Sequence, residues 1–268
     1  MDRKRGLSRR GLAGRVRQQG GAGKLARRFL QDPKGVIAGS LFHTRMIPAL
    51  IEFQRGSQLQ TLSPEELMAD LFGRAVDAEK LHAEFAEVQQ TLAERYKRPL
   101  PFRMVTRLSD AQSFLLYSLV RELRPSTVLE TGVANGHSSV VLLQALQRNG
   151  SGTLWSVDIS PEVGVLVDPS EKANWKLRLL PIRGERAAFH RLLDEIGPVD
   201  LFEHDSDHSY EWQTFEMQSI WPRLRPHGLL SVDDADVSWA TLDFARKAGA
   251  GLRTLVTTSR VCGVFQHP

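Results

Sequence analysis

From Ser109 onward, short apolar runs alternate with longer amphipathic stretches, and this alternation constrains the fold more than any other feature of the chain. Ser109-Asp110-Ala111-Gln112 reads as a capping box: a serine at a helix start and a glutamine three residues on satisfy each other's backbone amides. Leu115, Leu116, Leu119, Val120 and Leu123 then give that helix its buried face. Strands are predicted at Thr127–Glu130, Thr153–Asp158, Leu177–Ile182, Val199–His204 and Gly228–Val232. Helices are predicted at Ser138–Arg148, Arg186–Glu195, Glu211–Leu224 and Ala240–Ala248. Two further strands, Leu252–Thr257 and Arg260–Phe265, are joined by Thr258-Ser259 alone, which predicts an antiparallel hairpin. Repeated strand–helix units build an α/β, doubly wound, mostly parallel sheet, here of seven strands. Ligands of such sheets bind beyond the carboxyl ends of the strands.

Ahead of the sheet the pattern is helical. Residues 36–53 are apolar and helix-like, interrupted by Pro48. Ser63-Pro64-Glu65-Glu66 is a second capping box, opening a helix that should stop near Gly73. Val76, Leu81, Phe85, Val88, Leu92 and Tyr96 share one face of a longer helix, ended by Pro99 and Pro101. The chain thus divides into a leader (1–35), an N-terminal helical cap (36–105) and a ligand-binding α/β domain (106–268). Phe42, Met46, Phe102 and Met104 are candidates for the lining on the cap side.

The leader holds the basic charge. Residues 1–34 carry eleven Lys or Arg against two acids, a net +9, whereas the rest carries 24 against 29, a net −5. The sequence pI of about 9.4 therefore belongs to the leader and does not argue for nucleic-acid binding by the fold. Gly- and Arg-rich, it reads as a solvated, mobile segment; the sharper alternative is a basic arm for an acidic partner, a membrane surface or a neighbouring subunit of a homo-oligomer. It lacks the apolar core of a secretory signal, and no run is long enough to span a bilayer. One cysteine, Cys262, excludes an internal disulfide and fits a reducing compartment, so a cytoplasmic location is expected.

Three signals cluster on one side of the sheet. In Val128-Leu129-Glu130-Thr131-Gly132-Val133-Ala134-Asn135-Gly136-His137-Ser138, a strand ends in an acid and turns through two glycines into a helix. The spacing G-x-x-x-G differs from the dinucleotide fingerprint G-x-G-x-x-G. Asp158 ends the next strand, where an acid can accept bonds from ribose hydroxyls. Gly184-Glu185 follows the third strand, where an acid can meet an adenine amino group.

A second constellation lies further on. Asp205 and Asp207 leave one strand; Asp233 and Asp234 leave its neighbour. Adjacent strands lie about 4.8 Å apart, so these groups can converge. Clustered carboxylates repel unless a cation or a proton separates them, and hard oxygen ligands suit Mg²⁺, Mn²⁺ or Ca²⁺. Helix capping and surface acids are the plainer alternative, favoured for Asp236.

Glu130-Thr131-Gly132 through Gly136, Asp158 and Gly184-Glu185 resemble the successive cofactor motifs of class I S-adenosylmethionine (SAM)-dependent methyltransferases, over residues 107–268. The resemblance implies their Rossmann-like fold with an antiparallel last strand. It implies that Gly132 and Gly136 border the methionine moiety and that Glu130 helps hold its amino group. Asp158 would bind ribose and Glu185 adenine, with Asn135, Ser138 and Asp205 also at the cofactor and His137 flanking the loop. The run Asp205-Ser206-Asp207-His208-Ser209-Tyr210-Glu211 is similar to the D-G-D-H-S-Y-E segment of a family that includes macrocin-type and other sugar O-methyltransferases of natural-product pathways. That likeness implies a divalent metal, Mg²⁺, held by Asp205, Asp233 and Asp234 and gripping an acceptor hydroxyl. Asp207 falls at the general base, with His208 as the competing candidate. Glu203 and His204 stand where that family has apolar residues, and Ser206 replaces a glycine.

The expected activity is SAM-dependent O-methylation of a small-molecule hydroxyl, on a sugar or natural product. The alternatives are a metal-independent N- or O-methyltransferase, a nucleic-acid protein guided by the basic leader, and a SAM-binding protein without catalysis.

Overall fold

The computed structural model describes residues 62–102, 107–257 and 260–268. The leader, the first part of the cap with Phe42, Met46 and Pro48, Met104, and the Thr258-Ser259 link lie outside the described residues. Helix α1 (Pro64–Phe72) opens on the Ser63–Glu66 capping box and stops at Gly73, as its sequence predicts. Helix α2 (Ala78–Arg95) buries Leu81, Phe85, Val88 and Leu92. Helix α3 (Asp110–Leu123) opens on the Ser109–Gln112 box.

The strands and helices then alternate: β1 (Thr127–Thr131), α4 (His137–Asn149), β2 (Thr153–Asp158), β3 (Trp175–Leu179), α5 (Glu185–Ile196), β4 (Val199–His204), α6 (Tyr210–Ile220), β5 (Leu224–Val232), α7 (Ala240–Ala248), β6 (Leu252–Val256) and β7 (Val261–Gln266). They form one seven-stranded sheet in the order β3-β2-β1-β4-β5-β7-β6. β1 to β5 pair in parallel, and β7 runs antiparallel to both β5 and β6. This is the doubly wound, mostly parallel seven-stranded sheet that the alternation predicts, with the antiparallel last strand that the resemblance implies.

Two boundaries differ from the sequence expectation. β3 covers Trp175–Leu179 rather than Leu177–Ile182, because Pro181 lacks the N–H a ladder needs, and Ile182 is left 79 % exposed. α6 ends at Ile220, where Pro222 forces a short 3₁₀ turn, and β5 starts at once at Leu224.

Residues alternate across the sheet between two cores. Val128, Leu154, Leu201 and Leu229 face α1–α4, and Leu129, Trp155, Phe202 and Leu230 face the other helices. At the carboxyl end the first face turns polar: Ser156, Glu130, Glu203 and Ser231 stand side by side on β2, β1, β4 and β5. This polar row underlies the loops that build the site.

Candidate active site

The chain leaves β1 through Gly132 (φ 86°) and Gly136 (φ 90°) and enters α4 at His137. Positive φ is one reason for glycine here. The second is crowding: a Cβ on Gly136 would lie 3.0 Å from the Gly164 Cα. Asp158 pins this loop. Its Oδ2 accepts from the Val133 and Ala134 amides at 2.8 and 3.3 Å, and its Oδ1 from those of Ile159 and Ser160 at 2.7 and 2.9 Å. Asn135 spends both ends of its side chain on the Phe102 backbone, at 3.1 and 3.0 Å, tying the end of the helical region to the loop.

His137 has its tautomer set by its neighbours. The Ser113 hydroxyl donates to the Ser109 carbonyl (2.9 Å) and so accepts from Nε2–H of His137 (2.8 Å). Nδ1 therefore accepts from the Tyr96 hydroxyl at 2.7 Å. Burial, with the nearby charge of Arg107, lowers the His137 pKa to about 3 and keeps the ring neutral.

A cavity of about 590 Å³ opens beside the loop, a size suited to a nucleoside-bearing ligand. Of the residues singled out in the sequence, Gly132, Asn135, Ser138, Asp158, Glu185, Asp205, Asp207, His208 and Asp234 line it. Glu130 does not. It is fully buried beneath the loop, accepting from Ser139 and, at 2.5 Å, from Ser156. Burial outweighs these bonds and pushes its carboxyl up to about 7. Ile159 (60 % exposed) and Ile182, which sequence reasoning passed over, also line the cavity with Leu180. A bulky apolar residue directly after Asp158, at the ligand edge of a strand, was the available signal for Ile159.

At the other end of the cavity, Asp205, His208 and Asp233 each offer a ligand atom, all within 4.8 Å of one another. Asp234 is not in that group; it takes a left-handed turn conformation (φ 47°), and its Oδ2 lies 4.0 Å from Arg260 Nη1. Asp233 is fully buried behind the wall and accepts from Gln112 Nε2 (2.6 Å, Oδ1) and Arg260 Nη1 (2.5 Å, Oδ2). Burial first, then the charges of Asp233 and Glu203, hold the Asp205 carboxyl well above the usual range. His208 Nε2 lies 3.6 Å from Asp205 Oδ1, and its buried Nδ1 has no hydrogen-bond partner. Burial, then the neighbouring His204, lowers the His208 pKa to about 4, leaving a neutral imidazole whose ring nitrogens are open to a metal. Asp207 is exposed and turned to Ser209, accepting from its amide (2.9 Å) and hydroxyl (3.2 Å).

The two unusual residues of β4 are both buried. Burial pushes Glu203 up to about 8, opposed by a bond from Ser231 and reinforced by the charges of Asp233 and Glu130. His204 meets Glu216 of α6 at 2.6 Å. The same Glu216 oxygen accepts from Thr131 (2.7 Å) and Ser206 (3.0 Å), and its other oxygen from Trp212 Nε1 (2.7 Å). One carboxylate thus fastens the ends of β1 and β4 to α6.

Residues 129–235, from the first strand to the acid pair, match a family profile described as a methyltransferase domain. By that match, residues 129–235 are similar to a methyltransferase domain. Solved structures with the same fold include an O-methyltransferase from Bacillus cereus in complex with SAH, at 14 % identity over 68 % of this chain and 90 % of that one, TM-score 0.51. The SAH-bound Podospora anserina methyltransferase PaMTH1 is similar at 13 % identity, covering 68 % of this chain and 88 % of that one, also at TM-score 0.51. Cofactor-bound Rv0187 from MTB is similar at 20 % identity over 78 % of this chain and 99 % of that one, again at TM-score 0.51. No curated protein matches the sequence. Within this methyltransferase domain the glycine loop and the acid cluster share one cavity. No described helix is long and apolar enough to cross a membrane.

Proposed function

We propose that this methyltransferase moves the methyl group of SAM onto a hydroxyl of a small molecule, a sugar or natural product, with the help of a divalent cation such as Mg²⁺. The observation that carries the proposal is the meeting of Asp205 and His208, which line the cavity that the glycine loop opens onto, with Asp233 buried directly behind its wall.

The residues fit both groups. Ile159, Leu180 and Ile182 offer an apolar wall to adenine, and Glu185, first residue of α5, an acceptor for its amino group. Asp158 lies where a ribose would accept the exchange of backbone amides for hydroxyls. Gly132, Gly136, Asn135 and Ser138 shape the methionine end, with Glu130 stiffening the loop from below. Asp205 sits between the two ends. Asp205, Asp233 and the neutral His208 would hold the cation, with Asp234 beside them; an imidazole in the set suits Mn²⁺ as well as Mg²⁺.

SAM brings an already activated methyl group, and a bound cation supplies charge that stabilises a developing alkoxide and fixes its direction. The chain aligns the acceptor oxygen with the methyl carbon, an effect worth roughly 7–11 kcal/mol when the geometry is good. Asp207 lines the cavity outside the cation group and takes the hydroxyl proton. On the same reading, residues 36–105 cover the acceptor side and 1–35 form a basic leader.

The test is incubation with SAM, Mg²⁺ and a panel of glycosylated and phenolic acceptors, with methyl transfer read by mass. Methylation at oxygen that stops on chelation supports the proposal; methylation at nitrogen alone, or turnover indifferent to chelation, defeats it. One observation favours the metal-independent reading: Arg260 already places a positive charge on Asp233.

A further inference from the structure

The acid cluster contains a cation of its own. Arg260, at the foot of β7, reaches across to the ends of β4 and β5, with Nη1 2.5 Å from Asp233 Oδ2 and 4.0 Å from Asp234 Oδ2. Asp233 has no exposure to solvent, so this ion pair is shielded from screening. The other oxygen of Asp233 is held by Gln112, whose own amide oxygen accepts from the Ser109 amide (3.1 Å) and hydroxyl (2.8 Å) in the α3 capping box. Asp233 is therefore fixed from behind and cannot turn away from Arg260. Both Asp233 oxygens are thus engaged, Oδ1 by the Gln112 amide and Oδ2 by the guanidinium.

We infer that Arg260 is the built-in counter-ion of this site and that a divalent cation binds by displacing its guanidinium from Asp233. The inference rests on the metal reading above. It follows from geometry and charge: Asp205, Asp233 and Asp234 all act on one guanidinium, and a cation held by Asp205, His208 and Asp233 would compete with it for a carboxylate whose two oxygens are already engaged. Arg260 itself lines the cavity, which gives its side chain space to swing into. Charge-assisted bonds to a buried carboxylate are among the stronger ones, so the displacement weakens cation affinity. Between ion-binding events the arginine keeps the carboxylates from repelling one another.

The experiment is titration of the full chain with Mn²⁺ in a calorimeter, comparing the wild type with Arg260→Gln and Asp205→Asn. Circular dichroism reports folding. Arg260→Met, which keeps the length and apolar packing of the stem, serves in place of the glutamine variant should that one fold poorly. Loss of the competing guanidinium should tighten Mn²⁺ binding by about tenfold or more, while Asp205→Asn should abolish it. If the wild type binds Mn²⁺ through Asp205 but removing Arg260 leaves affinity equal or weaker, the displacement is wrong and the metal site stands. If none of the folded proteins binds Mn²⁺ at millimolar concentration, both readings fall.

Discussion

A Cβ placed on Gly132 would fall 2.0 Å from the backbone carbonyl oxygen of Asp205. The turn leaving β1 and the turn leaving β4 are thus in backbone contact, and Asp205 donates its own amide to the Thr131 carbonyl at 2.9 Å. The glycine usually credited with making room for a ligand here makes room for the loop that carries the first acid of the cluster.

Gly132→Ala should accordingly damage both ends of the site. The side chain would meet backbone rather than a flexible tip, and the residue would also be held at positive φ. Overpacking and backbone strain together predict a loss of about 2–4 kcal/mol. Thermal unfolding and SAM titration check this; a variant that melts and binds SAM like the wild type would show that the contact is easily relieved.

Asp207→Asn should lower kcat by about 10²–10⁴-fold, the usual contribution of a positioned base, with SAM affinity unchanged. His208→Asn should instead weaken Mn²⁺ binding. If His208→Asn removes turnover while cation affinity holds, and Asp207→Asn is mild, the roles of the two residues are reversed.

Ile182→Ser should leave stability within about 0.5 kcal/mol, since an exposed side chain loses little when shortened. It should raise the Kd for SAM by up to about tenfold, the cost of one apolar contact with the adenine. Unchanged affinity would place the adenine elsewhere.

The pH dependence of stability has two opposed sources. His208 and His137, lowered to about 4 and 3, bind fewer protons folded than unfolded, so their contribution is full above about pH 6.5 and is lost as pH falls toward 4 and 3. Glu130 and Glu203, raised to about 7 and 8, bind more protons folded, so theirs is full below about pH 4.5 and is lost as pH rises through 7 and 8. The two slopes offset one another between about pH 4.5 and 6.5. Above that window the glutamates act alone, and the metal-free protein should lose stability up to pH 8. Glu130→Gln, which keeps an oxygen for Ser139 and Ser156, should recover on the order of 3 kcal/mol at pH 8. Urea unfolding across the range checks both statements; stability that climbs from pH 6.5 to 8 contradicts them.

The parts of this site that were legible in the sequence are those whose cause is local. Ser63 and Ser109 open helices because their partners lie three residues away, and the strand–glycine–helix run around Gly132 needs no distant contact to be read. β3 is placed too late because Leu179, Leu180 and Ile182 look like the interior of a strand, whereas Leu180, buried, and Ile182, exposed, line the cavity instead. Glu130 looked like a ligand group because strand period alone does not tell whether a carboxylate points at the cavity or beneath its floor. His208 meets Asp205 and Asp233 because the turn after β4 brings its ring back toward them, which residue order does not reveal. The hold of Gln112 on Asp233, and the parts played by Glu216 and Arg260, are not legible because each acts on residues supplied by other elements; Gln112 and Asp233 are 121 positions apart.

Glu216 carries a consequence for how the two ligands sense each other. It lies on α6, yet its carboxylate ties down Thr131, at the mouth of the glycine loop, and His204 and Ser206, on either side of Asp205. On the proposed reading, a rearrangement that one ligand imposes on its turn would reach the other through this anchor as well as through the backbone contact of the two turns. If the site holds both, thermodynamic reciprocity requires that SAM change the affinity for the ion by the same factor, in the same direction, as the ion changes the affinity for SAM.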